Sequence, residues 1–243
     1  MTYCVGMLLE QGVVLLSDSR TNAGVDQIST FRKMTVFESP GERALVLLSS
    51  GNLAITQALV SMLNEAIQAK DERPSLMNVP NLFEAARHVG TLLREVHQQD
   101  ADALQAFNID FTAAFILGGQ IAGGPPRLFS IYAAGNFIEA TAETPYFQIG
   151  ESKYGKPIID RVLRRESSID QAVKCALISM DSTIRSNLSV APPFHLAVIP
   201  ANTCRIGTQR TIDAEDAYFQ IIHSRWGESL RKAFDALPDP DFI

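Results

Sequence analysis

The chain has 243 residues, 46% of them hydrophobic, which fits one large domain or two small ones and supports a sizeable buried core rather than disorder. A formal net charge of −6 argues against a nucleic-acid binder, which needs a basic patch. No apolar run reaches the ~18–20 residues of a membrane span, and Glu10 and Gln11 interrupt the only stretch that could resemble a secretory signal, so the expected location is cytoplasmic.

The first 33 residues carry the chemistry. Removal of Met1 makes Thr2 the first residue and places a hydroxyl and a free α-amine on one residue. An α-amine titrates near ~7.7–8.0, which suits a general base at neutral pH, and the pair forms a nucleophile with its own base. Tyr3 to Leu9 and Val13 to Leu16 are apolar runs joined by Glu10-Gln11-Gly12, a β-hairpin signal. Folding about that turn carries Asp18 back beside the chain start. A polar loop, Thr21–Thr30, returns the chain so that Lys33 opens the next strand, Met34 to Phe37. A cation there would lower the pKa of the nucleophile's proton, and the carboxylate would hold the cation. On these residues alone, a frayed terminus, a turn aspartate and a solvated lysine account for the pattern equally well.

A turn at Ser39–Glu42 precedes a second strand, Ala44–Leu48, and Ser49-Ser50-Gly51-Asn52 leads into a helix over about 53–69. That helix is apolar nearly all round, which predicts burial on both sides. Lys70–Pro80 reads as a polar loop. A second helix starts near Asn81, with a stripe at Leu82, Ala85/Ala86, Val89, Leu92/Leu93 and Val96, and Gln98–Asp102 reads as its solvated end or a loop. Strands follow at Phe111–Leu117, Arg127–Ala133 and Phe137–Thr141. Their intervening glycine pairs lack the G-x-G-x-x-G spacing of a dinucleotide site.

Gly150–Pro157 falls one residue short of a P-loop. Pro157 offers neither the hydroxyl for Mg²⁺ nor an N–H for phosphate, and Glu151 would repel an anion. Lys156 to Arg165 reads as a helix with proline in its first turn. Ser168 and Gln171 form a capping-box pattern ahead of a longer helix carrying Ile169, Val173, Leu177, Ile184 and Leu188. Asp181 falls inside that apolar stripe and must find a partner or cost several kcal/mol, which points it at a polar site. A strand at Phe194–Ile199, a turn, a short strand at Cys204–Ile206 and a last helix over 214–234 complete the order. Three unpatterned cysteines and four scattered histidines give no disulfide framework and no metal motif. Without internal repeats or linkers, one domain over 1–243 is expected, with an extended tail at about 236–243 that is disordered or docks on a neighbour.

Thr2, Asp18-x-Arg20 and Lys33 together resemble the N-terminal signature of proteasome β-type subunits, a branch of the N-terminal-nucleophile hydrolases. Thr2 to Asp18 is sixteen positions, as in that family, and Asp18 to Lys33 is fifteen, one fewer than usual. That shortening, with Ser17-Asp18-Ser19-Arg20-Thr21-Asn22-Ala23-Gly24-Val25-Asp26, is similar to the bacterial Anbu branch, the ancestral β-subunit.

The resemblance implies an α+β fold, a four-layer αββα sandwich of two antiparallel sheets between helix layers. It implies a threonine peptidase, with Thr2 as nucleophile, Lys33 tuning it, Asp18 holding Lys33, and Gly51 offering its N–H to the reacting carbonyl. Locally, Gly51 also reads as an ordinary turn glycine. The family's supporting serine falls to Glu151 or Ser152, because Gly150-Glu151-Ser152 departs from Gly-Ser-Gly. Asp181 resembles the aspartate that supports the amine, although Ile184 and Arg185 stand where serine and glycine usually follow. No cofactor or metal is implied. The expected partners are a peptide or amide substrate and further copies of the chain in a ring or spiral, with no nucleic acid and no membrane. Two alternatives stand beside the peptidase: an amidase for a small non-protein amide, and a non-catalytic subunit that retains Met1.

Overall fold

The structure, a computed structural model, describes residues 2–23, 27–69 and 73–242. Met1, parts of the expected loops at 24–26 and 70–72, and the last residue of the tail lie outside the described residues.

Two five-stranded antiparallel sheets stack between two layers of helices. The first sheet contains β1 (Tyr3–Leu9), β2 (Gly12–Ser17), β10 (Tyr146–Gly150), β11 (Phe194–Pro200) and β12 (Thr208–Ile212), in the order β10-β1-β2-β11-β12. The second holds β5 (Met34–Ser39), β6 (Arg43–Gly51), β7 (Ala113–Ile121), β8 (Arg127–Ile131) and β9 (Phe137–Glu139) in sequence order. The pair β3 (Arg20–Ala23) and β4 (Gln27–Thr30) forms a separate hairpin.

Three apolar layers hold this arrangement together. Alternate residues of β1 and β2 face opposite ways. Cys4, Leu8, Val13 and Leu15 meet Val46, Leu48, Ile116 and Leu128 between the sheets. Tyr3, Val5, Met7, Val14 and Leu16 pack outward on α3 (Lys156–Val162), α4 (Ile169–Ser186) and the start of α5 (Ala217–Asp235). The outer face of the second sheet packs Leu45, Leu47, Phe115 and Phe129 against α1 (Leu53–Ala69) and α2 (Leu82–Ala106). With both faces covered, β1 and β2 need apolar residues at every position, so their sequence shows a continuous run instead of alternation. This is the four-layer αββα architecture expected from the sequence.

The details differ in five places. The expected loop at 21–30 contains β3 and β4. Helix α2 continues through 98–102 to Ala106, because that stretch has no breaker and Leu104 still reaches the core. Helix α1 buries only Ile55, Thr56, Leu59 and Leu63, so it is half-exposed, and its outward Val60 lines a cleft. Cys204–Ile206 is not a strand: Cys204 takes a left-handed turn with φ +46, and the strand begins at Thr208. The strand β10 carried no clear signal. The capping box at Ser168 and Gln171 forms in full.

Candidate active site

The hairpin register brings the chain start against the end of β2. Cys4 pairs with Ser17, so the next residue, Asp18, lies beside Tyr3. The Asp18 N–H donates to the Tyr3 carbonyl at 3.1 Å, and the Tyr3 N–H donates to the Asp18 carboxylate Oδ1 at 3.0 Å. Thr2 is held from its other side. Its carbonyl accepts the Glu151 N–H at 2.6 Å, at the end of the neighbouring strand β10. Gly150 makes that approach possible. Its φ is +83, and a Cβ there would lie 2.0 Å from the Thr2 carbonyl oxygen.

Lys33 arrives from the second sheet, at the start of β5. Its Nζ donates to Asp18 Oδ1 at 2.8 Å and to the Arg20 carbonyl at 2.6 Å. Lysine and aspartate are 6% and 0% exposed, so the pair is withdrawn from water. Burial pushes the Asp18 carboxyl up from its ordinary value, while the Lys33 charge and hydrogen bond and the Tyr3 and Ala191 N–H groups oppose that rise. Cys4 sits beneath the pair with its Sγ donating to the Ser49 carbonyl at 3.7 Å. Burial and the adjacent Asp18 push its thiol far up, so it is an inert thiol rather than a second nucleophile.

Thr2, Lys33 and Gly51 line one cleft of about 1160 Å³. Its walls come from the end of β6, the first turns of α1 and the 109–112 segment, and they are rich in hydroxyls: Ser49, Ser50, Thr56 and Thr112. Gly51 sits at the rim with φ +117, where a Cβ would meet the Thr112 carbonyl at 2.3 Å. Ser49 and Ser50 precede Gly51 on β6 and Thr56 lies on the first turn of α1, whereas Thr112 and the Arg20 carbonyl reach the site only through the meeting of distant segments.

Two expected residues sit elsewhere. Asp181 is fully buried on α4, but its Oδ1 lies 2.6 Å from His223 Nδ1 on α5, and Arg185 Nε is 3.8 Å from its Oδ2. It does not line the Thr2 cleft. The partner that its position in an apolar stripe demands is therefore an interhelical histidine. Ser152 also lies outside the cleft lining, its carbonyl accepting the Lys156 N–H at 3.0 Å. Glu151 takes the place next to Thr2 by its backbone, and its buried side chain accepts from Asn187 Nδ2 at 3.1 Å. The P-loop look-alike is closed to phosphate: a Cβ at Gly155 would lie 2.5 Å from the Tyr3 hydroxyl, which fills that space. No group of three or more metal-ligating side chains occurs among the described residues, and no helix there is long and apolar enough to cross a membrane.

This fold and the placement of its first strand are those of the proteasome subunits: the family profile matches residues 2–199, and the chain belongs to that family. Within it the chain is similar to Anbu, the ancestral β-subunit. Anbu from Yersinia bercovieri is 51% identical, with a TM-score of 0.93 over 99% of this chain and 100% of that one. A Gly-1 mutant of Anbu from Hyphomicrobium sp. strain MC1 is 46% identical, with a TM-score of 0.93 over 99% and 100%. Anbu from Pseudomonas aeruginosa, described as a helical assembly, is 48% identical, with a TM-score of 0.93 over 99% and 98%. No curated protein matches the chain.

Proposed function

We propose that the chain is an N-terminal threonine amide hydrolase, a proteasome-like peptidase that self-assembles and acts once Met1 is removed. The observation that carries this reading is the buried Lys33–Asp18 pair, 2.8 Å apart, in which Lys33 shares one cleft with Thr2. In the proposed reaction the Thr2 Oγ attacks the scissile carbonyl while the α-amine of Thr2 takes the hydroxyl proton. The Lys33 charge lowers the cost of that deprotonation, and Asp18 holds Lys33 in place through their 2.8 Å contact. The Gly51 N–H stabilises the oxyanion. The proton then passes from the amine to the departing nitrogen, leaving an ester on Thr2 that water hydrolyses. Asp181 is left out of this scheme because its carboxylate bonds His223 on α5, and Ser152 because it does not line the cleft.

The cleft exceeds the ~300–1,000 Å³ of pockets for small ligands, which favours an extended peptide over a compact amide. The helical assembly described for Anbu of Pseudomonas aeruginosa supports homo-oligomerisation of this chain. The reading is tested by intact mass and by hydrolysis of a panel of peptide and acyl-amide substrates. Loss of Met1 and peptide turnover that vanishes in Thr2→Ala support it. Turnover of small amides alone moves the assignment to an amidase. Retention of Met1 with no turnover makes the chain a structural subunit.

A further inference from the structure

Tyr3 turns both of its backbone groups toward the end of β2. Its N–H donates to the Asp18 carboxylate at 3.0 Å, and its carbonyl accepts the Asp18 N–H at 3.1 Å. Along a strand with a neighbour on each side, successive residues turn their N–H and C=O to opposite sides. The backbone groups of Thr2 therefore face β10, and its carbonyl does accept the Glu151 N–H at 2.6 Å. Tyr3 pairs with Gly150, so Thr2 and Glu151 form the next opposed pair. The Thr2 nitrogen is thus turned to the side where Glu151 stands, and it becomes a free α-amine when Met1 leaves.

Glu151 is buried there, at 6% exposure. Asn187 Nδ2 donates to its Oε2 at 3.1 Å. Asn187 caps the C-terminal end of α4, and the segment after it runs along the residues that flank Asp18. The Leu188 carbonyl accepts from Arg20 Nη1 at 2.6 Å, and the Ala191 carbonyl accepts the Ser19 N–H at 3.5 Å. Glu151 is therefore tied to the chain start by its backbone and to residue 187 by its side chain. An ionised carboxylate accepts about four hydrogen bonds, so Asn187 leaves room for the N–H groups of an ammonium. The negative charge that speaks against phosphate at Gly150–Pro157 suits a cation at the chain start.

We infer that Glu151, aimed by Asn187, is a positioning residue for the α-amine of Thr2, its carboxylate receiving the ammonium that forms when the amine takes the Thr2 hydroxyl proton. This role rests on the reading of Thr2 as the nucleophile given above. The proton stays on the amine nitrogen until it passes to the departing nitrogen. Glu151 takes no proton; it directs the N–H bonds and offsets the charge that develops on the amine.

The test is the pH dependence of Thr2 labelling by a threonine-directed electrophile, on the full chain lacking Met1. Glu151→Gln keeps an oxygen for the Asn187 amide and removes the charge, so a merely structural role would leave the profile unmoved. The other charged groups around Thr2 are the same in both proteins: Asp18 after β2, Arg20 on β3, Lys33 before β5, and Arg32 and Asp110 on the cleft walls. A carboxylate beside an amine favours its charged form, so in Glu151→Gln the acid limb should move down by about one pH unit. The plateau should fall roughly ten- to hundredfold. Competitive acetylation of the Thr2 amine across pH, read on the N-terminal peptide, follows the same titration without reaction at the hydroxyl and decides for a variant that no longer labels. An amine titration in Glu151→Gln that is unshifted or raised overturns the role of Glu151 and leaves Thr2 as the nucleophile. A wild type that forms no adduct at Thr2 overturns both.

Discussion

Lys33 and Asp18 stand fifteen residues apart in the chain and 2.8 Å apart in the fold, Lys33 just before a strand of the second sheet and Asp18 just after a strand of the first, with both side chains shielded from solvent. The pair therefore joins the two halves of the sandwich at the place where the chain begins. A buried pair of this kind stabilises little against a matched apolar replacement, but removing one partner strands the other charge.

Lys33→Ala should accordingly destabilise the fold by about 3–5 kcal/mol, on the order of 10 °C in Tm for a chain of this size. The double variant Asp18→Asn with Lys33→Met should recover much of that loss while remaining inactive. Thermal unfolding of the two variants side by side measures the difference. Equal destabilisation of both would mean that the charge left behind is not what costs.

Gly150→Ala tests how the chain start is held. The added methyl would press on the Thr2 carbonyl, at a position whose φ of +83 is already unfavourable for alanine. Folding should survive with a loss of about 1–3 kcal/mol. Reactivity at Thr2 should fall by at least tenfold, because Thr2 must move and its bond to the Glu151 N–H must lengthen. Gly41→Ala, also at positive φ but with nothing near its Cβ, is the control that carries backbone strain alone.

Acid sensitivity should come partly from two histidines far from Thr2 in sequence. Burial holds the imidazoles of His88 and His195 below their ordinary 6.5, with Arg32 adding repulsion at His195; Glu95 opposes the shift at His88 and Asp213 at His195. Between the depressed folded values and 6.5 the unfolded chain binds more protons than the folded one. Stability therefore rises with pH through that interval and is lost as pH falls through it. Urea unfolding at a series of pH values should show this slope, and the double variant His88→Gln with His195→Gln should flatten it.

Ser168→Ala removes the hydroxyl that accepts the Gln171 N–H at 3.2 Å and opens a complete capping box. The expected cost is about 1 kcal/mol, or about 2–4 °C in Tm, with reactivity at Thr2 unchanged. Calorimetry with a parallel activity assay checks both.

What the sequence made legible was local or periodic. Glu10-Gln11-Gly12 marked the first hairpin, Ser168 and Gln171 marked the start of α4, and the spacing of Thr2, Asp18 and Lys33 marked the residues that the hairpin and the next strand could gather. What stayed hidden depends on contacts between distant segments. The edge strand β12, Thr-Gln-Arg-Thr-Ile, is exposed except at Ile212, so it carries no apolar alternation. Helix α2 runs on through polar residues because nothing stops it, and polarity alone does not end a helix. The apolar stripe around Asp181 marks a carboxylate in need of a partner, but that partner, His223, lies 42 residues away on a helix whose docking no local pattern encodes.

The proposed role of Thr2 as the attacking group is the one on which every other step of the reaction depends. It is tested most directly by treating the purified chain lacking Met1 with a threonine-directed electrophile and mapping the adduct by peptide mass spectrometry, with Thr2→Ala alongside. One adduct per chain is expected, located at Thr2 and absent from Thr2→Ala. Equal labelling of the two proteins, or an adduct at another residue, would contradict it.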